Sequence, residues 1–371
     1  MKETNPIKPA HILIAESNFD GHRLYYLTLI AETAAELGAK VSVLTNFALS
    51  NSPALLELQS RFLSQIQIIC TDDFSLKNLS SIALGSGATQ LIVPDGDRYV
   101  YDLAKSRKWG KVDLTLLVMR EFGQNKYFYG SALLGTLAKK LVIWWVRTVK
   151  NAEISVLKPS LWPGVATKRK VKDPIQLSKE VLQTNKDQAK AMMNLPKNKQ
   201  IIAILGSIDN RKNPLLVAQA IIALNDENLI LLLAGKVDVA TYSHFEQFVQ
   251  SNPRFSQNII IRNNYLNDDD LDLTIAASDI VCVAHSNEGP SGIMTKSIIL
   301  GTKIVAAGAH SLKRDLKEYP QSGIWVSLTQ SAISQGISKL LVEKDLQRPK
   351  IDLSRYSQRE SFSLPLLNKV S

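Results

Sequence analysis

Three short loops in the second half of the chain hold residues suited to gripping a diphosphate. The first is Gly206-Ser207-Ile208-Asp209-Asn210-Arg211-Lys212-Asn213-Pro214. It leaves an apolar run, Ile201 to Leu205, and leads into a helix that begins with proline. Arg211 and Lys212 then stand beside a helix N-terminus, where two fixed cations suit a pyrophosphate. Surface charges at a helix start are the plainer alternative. The second loop, Ile261-Arg262-Asn263-Asn264-Tyr265, ends a strand and offers a seat for a nucleobase. The third is His285-Ser286-Asn287-Glu288-Gly289-Pro290-Ser291-Gly292. It lies between the apolar strand Ile280 to Val283 and a short helix that stops at Gly301. Small residues feeding a helix N-terminus at the carboxyl end of a parallel strand make an anion site, because free N–H groups and the helix dipole point at the ligand. Glu288, at the mouth of this loop, is placed to accept hydrogen bonds from sugar hydroxyls.

The elements that must position these loops alternate with regularity. In the first half, strands are predicted near 11–15, 40–45, 66–70, 91–93, 114–119 and 154–157, with helices between them. Strands at 201–205, 229–234, 259–262, 280–283 and 303–307 repeat the pattern. Such alternation predicts parallel sheets covered by helices on both faces. The stretch Lys158-Pro159 to Asp173-Pro174 breaks the rhythm with prolines, a glycine and basic residues. It divides the chain into a first domain over 1–160, a basic linker over 161–186, a second domain over 187–350 and a tail over 351–371. The first loop of the chain, Asp20-Gly21-His22, contains a glycine but lacks the three-glycine dinucleotide fingerprint. Asp95-Gly96-Asp97 follows a strand and is read as the cap of the next helix rather than as a metal motif. His/Cys clusters with metal spacing, a Gly-x-Ser-x-Gly elbow and a Walker loop are absent from the sequence.

At 371 residues with 45% apolar and 21% charged residues, the chain is expected to form two globular domains. The net charge of +10 is uneven: residues 161–200 carry nine basic against three acidic residues, while 201–371 balance. This favours an anionic partner or a membrane surface over nucleic acid, for which no recognition motif accompanies the charge. No signal sequence and no spanning apolar run occur, so the expected location is the cytoplasm, including the inner face of a membrane. Cys70 and Cys282 read as buried free thiols. The run Leu137 to Arg147, with Trp144-Trp145 among basic residues, is read as a helix packed on its sheet in preference to one resting on a membrane.

Gly206 to Pro214, followed about 65 residues later by Ser278-Asp279 and then Glu288-Gly289, resembles the second half of group 1 (family 4-like) glycosyltransferases. The resemblance implies an α/β GT-B fold, two facing Rossmann-like domains with a cleft between them. It also implies retaining transfer from a nucleotide-diphospho-sugar, used as co-substrate, without a metal or other cofactor, to a carbohydrate or lipid-linked acceptor. Glu288 takes the position that contacts the donor sugar, and Gly289, Pro290, Ser291 and Gly292 the diphosphate-facing turn. Arg211 and Lys212 fall to the leaving group, and Gly206, Ser207, Arg262, Asn263 and Asn264 to the donor. Lys296 stands where the family places a second glutamate that holds the ribose. Ser207 stands where many members carry arginine. On the acceptor side the resemblance points to Gly21, Asp95 and Arg120, and it gives His22 a catalytic place, orienting an acceptor or touching the donor phosphate. His22 as a plain helix-start histidine is an equal reading. Two rivals keep the fold. One is a binding or partner protein that has lost transfer, with Lys296 as the symptom. The other is a sugar-nucleotide epimerase using His22, His285 and Glu288.

Overall fold

The computed structural model describes residues 10–18, 23–106, 109–119, 132–150, 152–177, 179–343 and 358–368. The chain divides into two compact units. The first comprises Met1–Lys158, Trp162–Pro174 and Leu353–Ser371, the second Pro159–Leu161 and Ile175–Asp352.

The first unit holds seven strands: β1 (His11–Ala15), β2 (Lys40–Thr45), β3 (Ile66–Cys70), β4 (Gln90–Val93), β5 (Asp113–Val118), β6 (Ala152–Lys158) and β7 (Lys170–Lys172). They form one parallel sheet in the order β3-β2-β1-β4-β5-β6-β7. The chain order reverses between β1 and β4. The second unit holds β8 (Gln200–Leu205), β9 (Leu229–Ala234), β10 (Ile259–Arg262), β11 (Ile280–His285), β12 (Lys303–Gly308) and β13 (Gly323–Val326). Its parallel sheet runs β10-β9-β8-β11-β12-β13, reversing between β8 and β11.

The central strands are continuous apolar runs because both faces are covered; β1 and β9 are buried throughout. Helices start where side chains satisfy the free amides of the first turn. Ser75 accepts from the Asn78 amide, Asp238 from Ala240 and Thr241, and Asn185 forms a reciprocal capping box with Gln188. The helix Gly292–Leu300 stops at Gly301, whose φ of 73° is left-handed.

Of the stretches set apart in the sequence as linker (161–186) and tail (351–371), Trp162–Pro174 and Leu353–Ser371 belong to the first unit, and the linker from Ile175 onward to the second. Within the basic stretch, Lys170–Lys172 pairs with β6 as an edge strand. Near the end of the chain, Phe362 is fully buried against Tyr26, with ring centroids 4.9 Å apart. Gln90 Nε2 donates to the Leu366 carbonyl at 2.7 Å. Asp95 makes no cap hydrogen bond to the following 3₁₀ turn; its carboxylate pairs with Arg23 at 3.0 Å. Asp97 instead accepts from the Met119 amide and from Lys139 Nζ, each at 2.7 Å.

Candidate functional site

The second sheet reverses strand order between β8 and β11, and the loops that leave these two strands are tied together. In open α/β sheets a crevice for ligands opens at such a point, beyond the carboxyl ends of the strands. Asn213 has left-handed φ and ψ of 48° and 48°, and its Nδ2 donates to the Ala284 carbonyl at 2.8 Å. The Ser286 amide donates to the Arg211 carbonyl at 2.9 Å. Gly206 has a φ of +83°; a Cβ there would lie 3.4 Å from Lys212 Nζ and 3.6 Å from Ile293 Cδ1. Gly206, Lys212 and the first turn of the helix Gly292–Leu300 therefore meet at one place.

Gly235, after β9, supports this loop from behind. Its φ is +136°, and an added Cβ would fall 1.9 Å from the Gly206 carbonyl oxygen. Gly235→Ala is expected to destabilise the fold by about 1–3 kcal/mol from backbone strain alone and to displace the Gly206 turn. A lowered denaturant midpoint at unchanged m-value would show it.

Electrostatics in this corner are set by two cations, one carboxylate and an imidazole. Arg211 is exposed and engages Asp209 through Nε at 2.9 Å and Nη2 at 2.5 Å. Lys212 Nζ donates to the Leu205 carbonyl at 2.5 Å, at the end of β8. Burial pushes its pKa down to about 8; Asp209 opposes this and Arg211 adds to it. His285 closes β11, and burial first, then the Lys212 and Arg211 charges, push its pKa down to about 4. It is a neutral imidazole at physiological pH. The sequence marked His285 only for the epimerase alternative; its place as the last residue of the strand facing Lys212 is tertiary information.

Glu288 does not project alone. Its Oε1 accepts from the His310 amide at 2.9 Å and its Oε2 from the Ser311 amide at 2.7 Å. The carboxylate thus sits on the N-terminus of the helix His310–Lys317. Ser311 Oγ accepts from the Gly289 amide at 3.0 Å and donates to the Gly289 carbonyl at 2.9 Å. Ser311 is a clamp on the loop that the sequence does not reveal, since it lies 22 residues away. Gly289 has a φ of +152°, and an added Cβ would meet no atom within 4 Å. Pro290 leads to Ser291, which caps the helix Gly292–Leu300 by accepting from the Met294 amide at 3.3 Å. The preceding amides of that turn, Gly292 and Ile293, have no acceptor within an α-helix. This corner can hold an anion between main-chain amides and one half-buried ammonium.

Other residues singled out from the sequence are engaged elsewhere. Arg262 Nη2 donates to the Met193 carbonyl at 2.5 Å. Asn263 Oδ1 accepts from the Val237 amide at 2.9 Å, and Asn264 Nδ2 donates to the Tyr265 carbonyl at 3.2 Å. The nucleobase seat expected at Arg262 and Asn263 is thus made of side chains that already bind backbone. Ser207 is exposed beside the Gly206 turn. Lys296 is buried and pairs with Asp272 at 2.7 Å and with Asp268 at 3.4 Å, on the helix Asp268–Ala277. In the first unit, Asp95 lies past β4 beside Arg23. Glu16, past β1 and unremarked in the sequence, is buried, and burial pushes its carboxyl up to about 7. Gly21, His22 and Arg120 lie outside the described residues. Among the described residues no cluster of His, Cys, Asp or Glu has metal-site geometry.

No protein-family model matches the chain, and no curated protein matches its sequence. Solved structures do resemble it. HepE from Anabaena, in complex with UDP and glucose, is 11% identical and has a TM-score of 0.61, over 95% of this chain and 93% of its own. A glycosyltransferase from Rickettsia africae is 16% identical with a TM-score of 0.62, over 97% and 96%. Sucrose-phosphate synthase from Thermosynechococcus elongatus is 14% identical with a TM-score of 0.63, over 97% and 95%. At these identities the likeness is one of fold: the chain shares with them the GT-B class of two Rossmann-like units.

Proposed function

We propose that the chain is a glycosyltransferase that takes a sugar from a nucleotide-diphospho-sugar, with retention, and passes it to a carbohydrate or lipid-linked acceptor. The observation that supports this most is the meeting of Gly206, Lys212 and the N-terminus of the helix Gly292–Leu300 at the β8/β11 reversal. The difficulty in this chemistry is the charge that grows on the departing diphosphate. The Lys212 ammonium and the Gly292 and Ile293 amides are preorganised to meet it. Arg211 adds positive charge already shared with Asp209. Glu288, held by the His310 and Ser311 amides, faces the sugar as its anomeric carbon gains cationic character. His285, neutral, offers a hydrogen bond without competing for the anion. Acceptor contacts fall to the first unit, with Gly21, His22, Asp95 and Arg120 as the residues in question.

The test is calorimetric titration with UDP and UDP-glucose, followed by an assay for sugar release or transfer. UDP binding with turnover supports the reading; no binding of any nucleoside diphosphate overturns it. Binding without turnover would make the chain a donor-binding protein. The Glu288 carboxylate, with both oxygens already accepting amides, is the feature that favours that second reading.

The site also implies a pH dependence. Lys212 carries its charge below about 8 and loses it above, and a bound diphosphate favours the charged form. UDP affinity is therefore expected to hold up to about pH 8 and to fall as pH rises further. Lys212→Arg, charged throughout, should flatten the profile even if its affinity is lower. Titrations at pH 6.5, 8 and 9.5 would check it.

A further inference from the structure

The helix Ala132–Val149 packs on the core of the first unit through Ile143 and Val146 and leaves a second apolar side uncovered. Its buried side chains include Lys139, Ile143 and Val146. Lys139 reaches Asp97 at 2.7 Å on the same side as Ile143 and Val146. The residues left outside follow at helical spacing: Leu137, Lys140, Leu141, Trp144, Trp145, Thr148 and Val149. Leu137 is 57% exposed, Leu141 65%, Trp144 59% and Trp145 45%. The packed-helix reading of this run holds for the side of Ile143 and Val146, and the other side presents two tryptophans to solvent. A contiguous exposed apolar stripe of this kind marks an interaction surface.

Cations border the stripe. Lys140 lies within it. Arg147, on the next turn, donates through Nη2 to the Arg169 carbonyl at 3.4 Å, which brings Lys168, Arg169 and Lys170 beside the C-terminal half of the helix. These three are exposed, and Lys170 Nζ rests 5.6 Å from the Trp162 ring centroid. The carboxylate near them, Glu153, is shared between Arg147 and Arg169 at 4.0 Å from each.

We infer that this face, with Leu141, Trp144 and Trp145 inserted and Lys140 and Lys168–Lys170 at the headgroups, is a docking surface for a lipid bilayer containing anionic lipid. Charge complementarity selects this occupant. Basic side chains attract an anionic leaflet, and tryptophans with aliphatic neighbours settle at its headgroup boundary. A second copy of the chain would bring like charges together across the same patch. Among the described residues no helix is long and apolar enough to cross a membrane, so the contact is peripheral. The inference does not rest on the glycosyltransferase reading, and its test does not use turnover.

The experiment is co-sedimentation of the full chain with vesicles of phosphatidylcholine alone and of phosphatidylcholine mixed with phosphatidylglycerol. Binding to the mixed vesicles is expected to be about tenfold tighter or more than to phosphatidylcholine alone, and to weaken with salt. Trp144→Ser with Trp145→Ser, and separately Lys168→Glu with Lys170→Glu, should each lower it by about tenfold or more. Both variants should keep the circular dichroism and UDP affinity of the parent chain. Failure of the parent chain to bind mixed vesicles, or equal binding by the variants, would overturn the inference. So would a concentration-dependent dimer that the tryptophan variant dissolves.

Discussion

Replacing Lys212 with methionine is expected to lower turnover by about 10²–10³-fold, the loss typical of removing one preorganised donor from a site of developing negative charge. Methionine keeps the length and apolar stem but lacks the ammonium that sits against Gly206 and the Leu205 carbonyl. UDP affinity should fall as well, because the diphosphate is also an anion before the bond breaks. Arg211→Ala should cost far less, since its guanidinium is exposed and already paired with Asp209. The contrast is the informative result. Kinetics on both variants at saturating donor, beside thermal melts, would measure it; equal losses would mean that the half-buried Lys212 ammonium has no special role over exposed charge.

The second large effect is on stability. Lys296→Ala removes the partner of Asp272, which is fully buried on the helix Asp268–Ala277. Breaking a buried pair from one side costs about 3–5 kcal/mol. Burial already raises the Asp272 carboxyl to about 6, with Lys296 pulling the other way. A carboxyl whose folded pKa is raised favours the folded state below its unfolded value near 3.8, and this contribution is lost as pH rises through about 6. Without Lys296 the folded pKa climbs further. The deficit of Lys296→Ala should therefore be small near pH 4 and large by pH 8. Lys296→Leu combined with Asp272→Leu should recover most of the loss. Urea unfolding at the two pH values distinguishes this from a cavity effect, which would not titrate.

Lys296 also shows where reading the sequence stops. Its offset of eight from Glu288 is visible in the chain, and so is its departure from the resembled pattern. What it does instead depends on Asp272, which packs against it from a neighbouring helix. Arg262 is a similar case: its strand-end position is local, but its partner is the Met193 carbonyl at the end of another helix. The strands and helices themselves were legible because buried parallel strands are uninterrupted apolar runs and caps are local. The loops after β8 and β11 were legible as helix entries, since Pro214 and Ser291 start their helices locally, but the tie from Asn213 to the Ala284 carbonyl, 71 positions away, was not. β7 was hidden because a three-residue edge strand with two lysines carries no apolar run. The return of Phe362 to the first unit was hidden because its partners, Tyr26 among them, lie more than 300 positions away. The exposure of Trp144 and Trp145 on the helix Ala132–Val149 was hidden because apolar residues recur on both of its sides.

The central claim is that the second unit holds a diphosphate at the β8/β11 reversal. A crystal structure of the chain grown with UDP tests it most directly. The account predicts the β-phosphate within hydrogen-bonding distance of Lys212 Nζ and of the Gly292 amide, with the Glu288 carboxylate beside the terminal oxygens. A nucleotide whose phosphates lie away from both the Gly206–Lys212 turn and the helix at Gly292 would contradict it.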